Sequence, residues 1–245
     1  MIEHIVEIKE NKEIAKKIFK MKLSCDFADK IKPGQFINIA VQGFILRRPI
    51  SVSDIGKDEF TIIYKIVGEG TEKLSKMRNG ETLNVLGPLG RFFSIHENEE
   101  DILIIGGGIG IPPLYEVAKE YRKIGKNVVA VLGFNDADSA YLYDEFKNLG
   151  CKVYIATMDG SLGIKGNVID VIERNNLSGF IYSCGPEVML KAVENKFERG
   201  YISKESRMAC GIGACMGCVC KDKNDPGKYY RICKEGPVFE IGKVE

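Results

Sequence analysis

Two histidines, His4 and His96, are all that the 245-residue chain contains, and both stand outside every glycine or cysteine motif in it. Chemistry built around a histidine acid or base is not what this sequence offers. Long apolar runs are also missing. The opening "MIEHIVEIKENKEIAKKIFKMKL" mixes acidic and basic residues without the apolar core of a secretory signal, and no later stretch approaches the roughly 18 apolar residues of a membrane span. The expectation is a cytoplasmic chain with no membrane partner. Net charge is nearly absent too, because 35 Lys and Arg face 34 Asp and Glu for a formal +1. No global field draws such a chain to nucleic acid or anionic lipid. Internal repeats and low-complexity tracts do not occur. What is there is ordinary globular composition, 44% hydrophobic and 28% charged, enough to bury a sizeable core.

Three segments follow one another. Up to residue 96, short β-rich runs alternate with turn signals: "HIVEIKEN", "IFKMKL", "QFINIAV", "RRPISVSDI", "EFTIIYKIV" and "ETLNVLGPLG". Strands at this spacing predict an antiparallel barrel or a sandwich. From 97 to 205 the pattern changes to apolar strands alternating with amphipathic helices, "DILIIGG", "PPLYEVAKEYRKIG", "NVVAVLGF", "KVYIAT", "GNVIDVIERNN", "GFIYSCG" and "EVMLKAVENKFERG". That alternation predicts a doubly wound α/β unit. Residues 206 to 245 are rich in Cys and Gly and too few for a core of their own, so a metal is expected to hold them.

Cysteine is concentrated where the rest of the chain has little of it. Of eight cysteines, four fall between positions 210 and 220 in "RMACGIGACMGCVCK". Cys210, Cys215 and Cys218 are spaced C-x4-C-x2-C and Cys233 follows, which is the plant-type ferredoxin spacing for a 2Fe-2S cluster. The small residues Gly211, Gly213, Ala214 and Gly217 let a loop fold tightly round such a group with its amides aimed at sulfur. A zinc knob is the alternative, although zinc ligands usually come as two close pairs. Disulfides are disfavoured in a reducing compartment. Cys220 lies outside the pattern and reads as a spare thiol.

"DILIIGGGIGIPPL" runs an apolar strand into a glycine turn and then a helix with prolines in its first turn. Gly106, Gly107, Gly108 and Gly110 there present backbone amides to a phosphate, although Ile111 stands where a dinucleotide fingerprint has its third glycine. A plain tight turn is the other reading. Cys184, Gly185 and Pro186 form a second small-residue turn on the same edge of the predicted sheet, and two such turns make a crevice. "GFNDADSAY" carries Asp136 and Asp138 with no cation before Lys147, which disfavours a 2'-phosphate and points to NADH over NADPH. In the β-rich half, "RRPIS" offers Arg48 as a planar clamp for a diphosphate and Ser51 as a hydroxyl able to reach a ring nitrogen.

The order R-P-I-S, then G-G-G-I-G, then C-G-P resembles the ferredoxin reductase family over the first two hundred residues. With "ESRMACGIGACMGCVCK" and "RICKEGPVF" added, the whole chain resembles the electron transfer subunits of NAD-dependent dihydroorotate dehydrogenases. That resemblance implies FAD lying across a barrel at residues 1–96, with Arg48, Pro49, Ile50 and Ser51 along the diphosphate and flavin, Ile63, Tyr64 and Lys65 on a neighbouring strand, and Gly70 and Thr71 in the loop after it. It implies an NAD-binding α/β domain at 97–205 and a 2Fe-2S module at 206–245 ligated by Cys210, Cys215, Cys218 and Cys233. It further implies an FMN-containing catalytic subunit as partner, two of each chain in a heterotetramer, and a place in pyrimidine biosynthesis. A reductase module of a hydrogenase or sulfite reductase type, and a zinc-bearing interaction module without redox activity, are the rival readings. Met208, Ile212 and Met216 in the cysteine loop suggest a contact face for the partner, or else a shell folded inward to keep water from the cluster.

Overall fold

The computed structural model describes residues 2–245. Its first half is built from β1 (Ile2–Ala15), β2 (Ile18–Ser24), β3 (Phe36–Ile39), β4 (Arg48–Ile55), β5 (Glu59–Lys65) and β6 (Thr82–Leu89). The length of β1 decides between the two expected architectures. At 14 residues it pairs with β6 from Ile2 to Glu7 and with β2 from Glu7 to Ala15, with a bulge between Ile8 and Glu10. One strand thus serves both edges, and the sheet closes in the order β1-β2-β5-β4-β3-β6 with every pairing antiparallel. The chain is a barrel, not a sandwich. Alternate residues of each strand fill its interior, among them Ile8, Leu23, Ile37, Ile39, Val52, Ile62 and Val85.

A short helix that the sequence pattern did not announce, α1 (Glu69–Ser75), follows β5. Asn11 ties it to the barrel: its Nδ2 donates to the carbonyls of Leu74 (3.0 Å) and Met77 (2.9 Å), and its Oδ1 accepts from the Tyr64 hydroxyl (3.0 Å).

The second half runs β7 (Asp101–Gly107), α2 (Pro112–Lys123), β8 (Asn127–Phe134), α3 (Tyr143–Asn148), β9 (Lys152–Thr157), β10 (Ile164–Lys165), α4 (Val168–Arg174), β11 (Phe180–Cys184), α5 (Glu187–Lys196) and β12 (Gly200–Ser203). The order β10-β9-β8-β7-β11-β12 is parallel throughout. From β7 the chain winds outward to β10, then returns to lay β11 on the other side of β7. A crevice at the carboxyl ends of β7 and β11 follows from that reversal. Leu114, Val117 and Phe146 cover one face of the sheet, and Val171, Ile172 and Val193 the other.

The C-terminal segment forms a hairpin, β13 (Val219–Lys221) with β14 (Tyr229–Arg231), and then β15 (Val238–Glu240). β15 adds to β12 as an antiparallel seventh strand. A metal was expected to stand in for a core here, yet the segment has one, borrowed from its neighbours. Ile232, Phe239 and Val244 pack with Phe36 and Leu89 of the barrel and with Leu190 and Ile202 of the α/β half. Among the described residues no helix is long and apolar enough to cross a membrane.

Helix α2 leans on the barrel through a partly buried ionic contact. The Glu116 carboxylate accepts the Ile55 backbone N–H (2.7 Å), while Lys119 bridges Glu116 (3.0 Å) and Asp54 (2.5 Å). Burial pushes the Glu116 carboxyl above its ordinary 4.5, against the pull of Lys119. An acid whose pKa is raised by folding costs no stability below its unfolded value and an increasing amount as pH climbs to the raised one. Lys119→Met removes the only cation in this contact, so we expect a loss of about 2–3 kcal/mol near pH 8, less than the ~3–5 of a fully buried pair. In thermal denaturation the deficit should narrow toward pH 5. A deficit that is unchanged or larger at the lower pH would contradict this account of the contact.

Candidate functional site

Two clefts and one loop of thiols make up the site. The first cleft, of about 370 Å³, lies at the crevice at the ends of β7 and β11 and is lined by Gly107, Gly108, Gly110, Gly185 and Pro186, together with Gly133 and Phe134 at the end of β8 and Asn135 and Ser139 after it. Gly110 makes the geometry possible. A Cβ there would stand 2.5 Å from the Gly185 nitrogen and 2.6 Å from the Cys184 carbonyl oxygen, so the two turns touch backbone to backbone. Helix α2 begins directly behind, with Pro112 and Pro113 in its first turn. Gly106 and Cys184 are buried and do not line the cleft, and burial pushes the Cys184 thiol well above its usual range. The expected acidic segment contributes Asn135 and Ser139 to the lining, not its aspartates. The Asp136 carboxylate is turned onto the Ser139 N–H (2.9 Å), capping the turn at Ala137–Ser139.

The second cleft, of about 260 Å³, runs between the barrel wall and the α/β half. Pro49, Ser51, Ile63, Lys65 and Thr71 line it, as the sequence suggested. Strand alternation sorts the rest. Ile50 and Tyr64 also line the cleft, but both belong to the barrel core cluster, where the Tyr64 hydroxyl donates to Asn11. Thr71 spends its hydroxyl locally: Oγ1 accepts from the N–H of Val67 (3.0 Å) and donates to the Gly68 carbonyl (2.9 Å). Arg48 and Gly70 are not part of that lining but pack on each other, and Gly70, like Thr71, lies in α1 and not in the expected loop. The guanidinium lies over the Phe44 ring at 4.7 Å and so close to Gly70 that a Cβ would be 2.4 Å from its Nε. Residues that the sequence did not assign to a cofactor complete the lining, among them Ile109, Pro112, Lys204, Glu205, Met208 and Pro237.

Lys65, Ile109 and Glu205 line both clefts, which therefore share a wall. Glu205 is open to solvent through the cleft mouth but hemmed in by protein on its other sides, and this desolvation raises its carboxyl above the ordinary 4.5. Only its place just after β12, at the sheet's carboxyl edge, could have marked it in the sequence.

The four cysteines stand in the C-terminal segment as two pairs, and among the described residues no group of three or more is drawn closely enough together to hold a metal ion. The Cys210 and Cys215 sulfurs are 3.3 Å apart, and the Cys233 N–H lies 3.5 Å from the Cys218 sulfur. Backbone amides aim at these atoms. Gly213 N–H donates to Cys233 Sγ (3.1 Å) and Cys215 N–H to Cys210 Sγ (3.4 Å). Amides of Ile212, Cys215 and Ala214 hold the Cys210 thiol down at about 6, whereas burial pushes Cys233 up to about 12. A buried thiol of that kind ionises on binding a cation. Thiols paired two and two, with amides on their sulfurs, suit a cluster of two irons with two thiolates on each. Gly213, at φ +80, turns the chain here, and Arg231 donates to its carbonyl while paired to Glu235 (2.6 Å). Cys220 stands aside, its thiol directed at the Tyr230 carbonyl (3.7 Å). Of the three apolar residues of the loop, Met208 and Ile212 pack inward and Met216 is 61% exposed. The two histidines stay outside all of this: each is half-buried, His4 on the Phe27 ring (4.0 Å) and His96 on the Tyr201 hydroxyl (2.9 Å).

Residues 205–245 match the model of the iron-sulfur cluster binding domain of dihydroorotate dehydrogenase B. The dihydroorotate dehydrogenase B (NAD(+)) electron transfer subunit of Fusobacterium nucleatum is 47% identical over 97% of this chain and 96% of its own. The chain belongs to that family of electron transfer subunits. A relative of the same description from Bacillus mycoides is 44% identical over 95% of both chains. Among solved structures, an NADH-dependent reduced ferredoxin-NADP oxidoreductase studied for flavin-based electron bifurcation is 31% identical, with a TM-score of 0.87 over 98% of this chain and 89% of its own. The ferredoxin reductase of a carbazole 1,9a-dioxygenase, 21% identical with a TM-score of 0.69 over 80% of this chain and 64% of its own, shares the fold.

Because the atoms facing Gly110 are main chain, Gly110→Ala must part the two turns. We expect the variant to fold with a lower melting temperature and to lose most of the stabilisation that NADH gives the parent in a thermal shift. A parent-like shift would show that the contact between the turns does not shape the first cleft.

Proposed function

We infer that this chain carries electrons between NAD and the catalytic subunit of a dihydroorotate dehydrogenase, with FAD in the second cleft and a 2Fe-2S cluster on the four cysteines. The observation that carries this reading is the order of the parts. The second cleft shares Lys65, Ile109 and Glu205 with the first, and Met208 and Pro237 of the cluster segment line it too. A group in that cleft lies between a nucleotide and the cluster loop. NAD(H) exchanges a hydride, FAD converts that electron pair to single electrons, and a 2Fe-2S cluster passes them one at a time.

The protein's own work is to hold and to exclude. The glycine turns offer N–H groups to the dinucleotide phosphates in the first cleft, and α2 adds only the positive end of its dipole, since Pro112 and Pro113 carry no N–H and the Leu114 N–H donates to the Ile111 carbonyl. Arg48, seated against Gly70, is the cation for the flavin diphosphate, and Thr71 shapes the loop beside it. Ser51 presents a hydroxyl to the flavin edge. Ile63, Ile109 and Pro112 form the dry floor on which two flat rings can meet. Cys210, Cys215, Cys218 and Cys233 hold the irons, and the amides around them stabilise an anionic cluster. No acid or base is asked of the histidines, which sit elsewhere.

An electron transfer subunit serves a catalytic subunit. We take that partner to carry FMN and to receive electrons from dihydroorotate, in a heterotetramer of two chains of each kind, with flow from the partner through the cluster and FAD to NAD. Met216 and its exposed neighbour Val219 are the apolar atoms available at the tip of the cluster loop for that contact. The three units proposed for this relay are 1–96, 97–205 and 206–245. A reductase module of another complex would share all three, and the 47% identity to the dihydroorotate dehydrogenase subunit, against 31% to the bifurcating oxidoreductase, favours the former.

Cys215→Ser tests the assignment. The purified parent should contain about two irons per chain and one flavin, whereas the variant should lose the cluster's visible spectrum and still reduce its flavin with NADH. Zinc in place of iron in the parent, or loss of flavin together with the cluster in the variant, would overturn the reading.

A further inference from the structure

Asn38 is a polar side chain where barrel packing would favour an apolar one. It sits in β3 between Ile37 and Ile39, which face the barrel interior, and so points the other way, on the same side as Phe36 toward the C-terminal segment. The residue is 1% exposed. Its Nδ2 donates to the Cys210 carbonyl at 3.4 Å, and a Cβ on Gly211 would stand 2.4 Å from the same nitrogen. The amide is therefore pressed against the peptide that follows the first cysteine. Its Oδ1 has no partner, the one buried side-chain polar atom so placed among the described residues. Behind it the strand is held firmly, because Arg47 donates to the Asn38 carbonyl (3.2 Å) and to Asn84 Oδ1 (2.8 Å).

An orphaned acceptor in a dry contact is a cost that a leucine of similar size would not incur. Among the described residues its one side-chain hydrogen bond is to the cluster loop. We propose that Asn38 is a positioning residue for the cluster: anchored in the barrel wall, its amide fixes the Cys210–Gly211 peptide. Fixing that peptide sets the aim of the Ile212, Ala214 and Cys215 N–H groups at the Cys210 sulfur, and with it the reduction potential of the cluster. Amides aimed at sulfur stabilise the more negative, reduced state, so loosening them lowers the potential. The inference rests on the reading that the four cysteines hold a 2Fe-2S cluster.

The test is a redox titration of the cluster by electron paramagnetic resonance in the full chain with FAD bound, for the parent, Asn38→Leu and Asn38→Asp. Iron analysis comes first, because a parent without about two irons per chain refutes the cluster itself, not the role of Asn38. With iron retained, Asn38→Leu is expected to lower the cluster's reduction equilibrium at least tenfold, a midpoint about 59 mV more negative for one electron. Asn38→Asp, which sets a carboxylate against the Cys210 carbonyl, is expected to lower it further. The leucine variant should melt no lower than the parent, since it removes the orphaned acceptor. Midpoints within twofold of the parent in both variants would overturn the proposal, as would a leucine variant that melts lower with its potential unchanged.

Discussion

Ile63 and Lys65 leave β5 on the face turned away from the barrel core, and Ile109 meets them from the turn after β7. Hydride transfer requires two rings in contact, so two binding grooves on separate sheets must share an edge. That shared edge constrains the rest of the molecule. The barrel must present the outward face of β5 to the sheet's carboxyl end, and Ile18 and Ile63 lock it there by packing into the same core as Ile111 and Leu114. Glu116 and Lys119 add polar bonds to β4 at the far end of the same contact. Neither half could slide without separating the clefts.

The cluster segment is subject to the same constraint from the other side. On the proposed assignment single electrons pass between it and the second cleft, so it cannot float on a linker. Pairing of β15 with β12 fastens its end to the nucleotide sheet, and Phe36 and Leu89 bring barrel side chains into its core. Between these anchors the thiol loop is free of helix and strand, as its amides are needed for sulfur. Its chemistry varies along its length: main-chain donors lower the thiol of half-buried Cys210, while burial raises that of Cys233. Met216 at the tip faces outward, where a partner can reach it.

Much of this was legible in the sequence, for reasons that differ by element. The α/β half announced itself because buried parallel strands are continuous apolar runs and α2 opens on two prolines. Cysteine spacing carried the cluster, since ligand geometry is written in local intervals. The barrel was legible as strands but not as a closed sheet, because closure turns on how far β1 extends past its hairpin partner, a matter of pairing and not of composition. α1 was missed for its brevity, and β15 because three residues take their strand character from β12. Glu205 and Asn38 belong to no motif. Each matters only through what the fold brings opposite it: the shared wall for Glu205, the Cys210 peptide for Asn38. Met208 and Ile212, apolar in a polar loop, read first as a docking face, with a packed shell as the alternative, and the borrowed core turns both inward.

The central claim is that the flavin cleft stands between the nucleotide and the cluster. Anaerobic rapid mixing of the loaded chain with NADH tests it most directly, following the flavin and cluster absorbance bands in time. Flavin bleaching should come first at a rate that saturates with NADH, and cluster reduction should follow in a phase independent of NADH concentration. Cluster reduction that precedes the flavin, or that persists in protein stripped of FAD, would contradict the order of the parts.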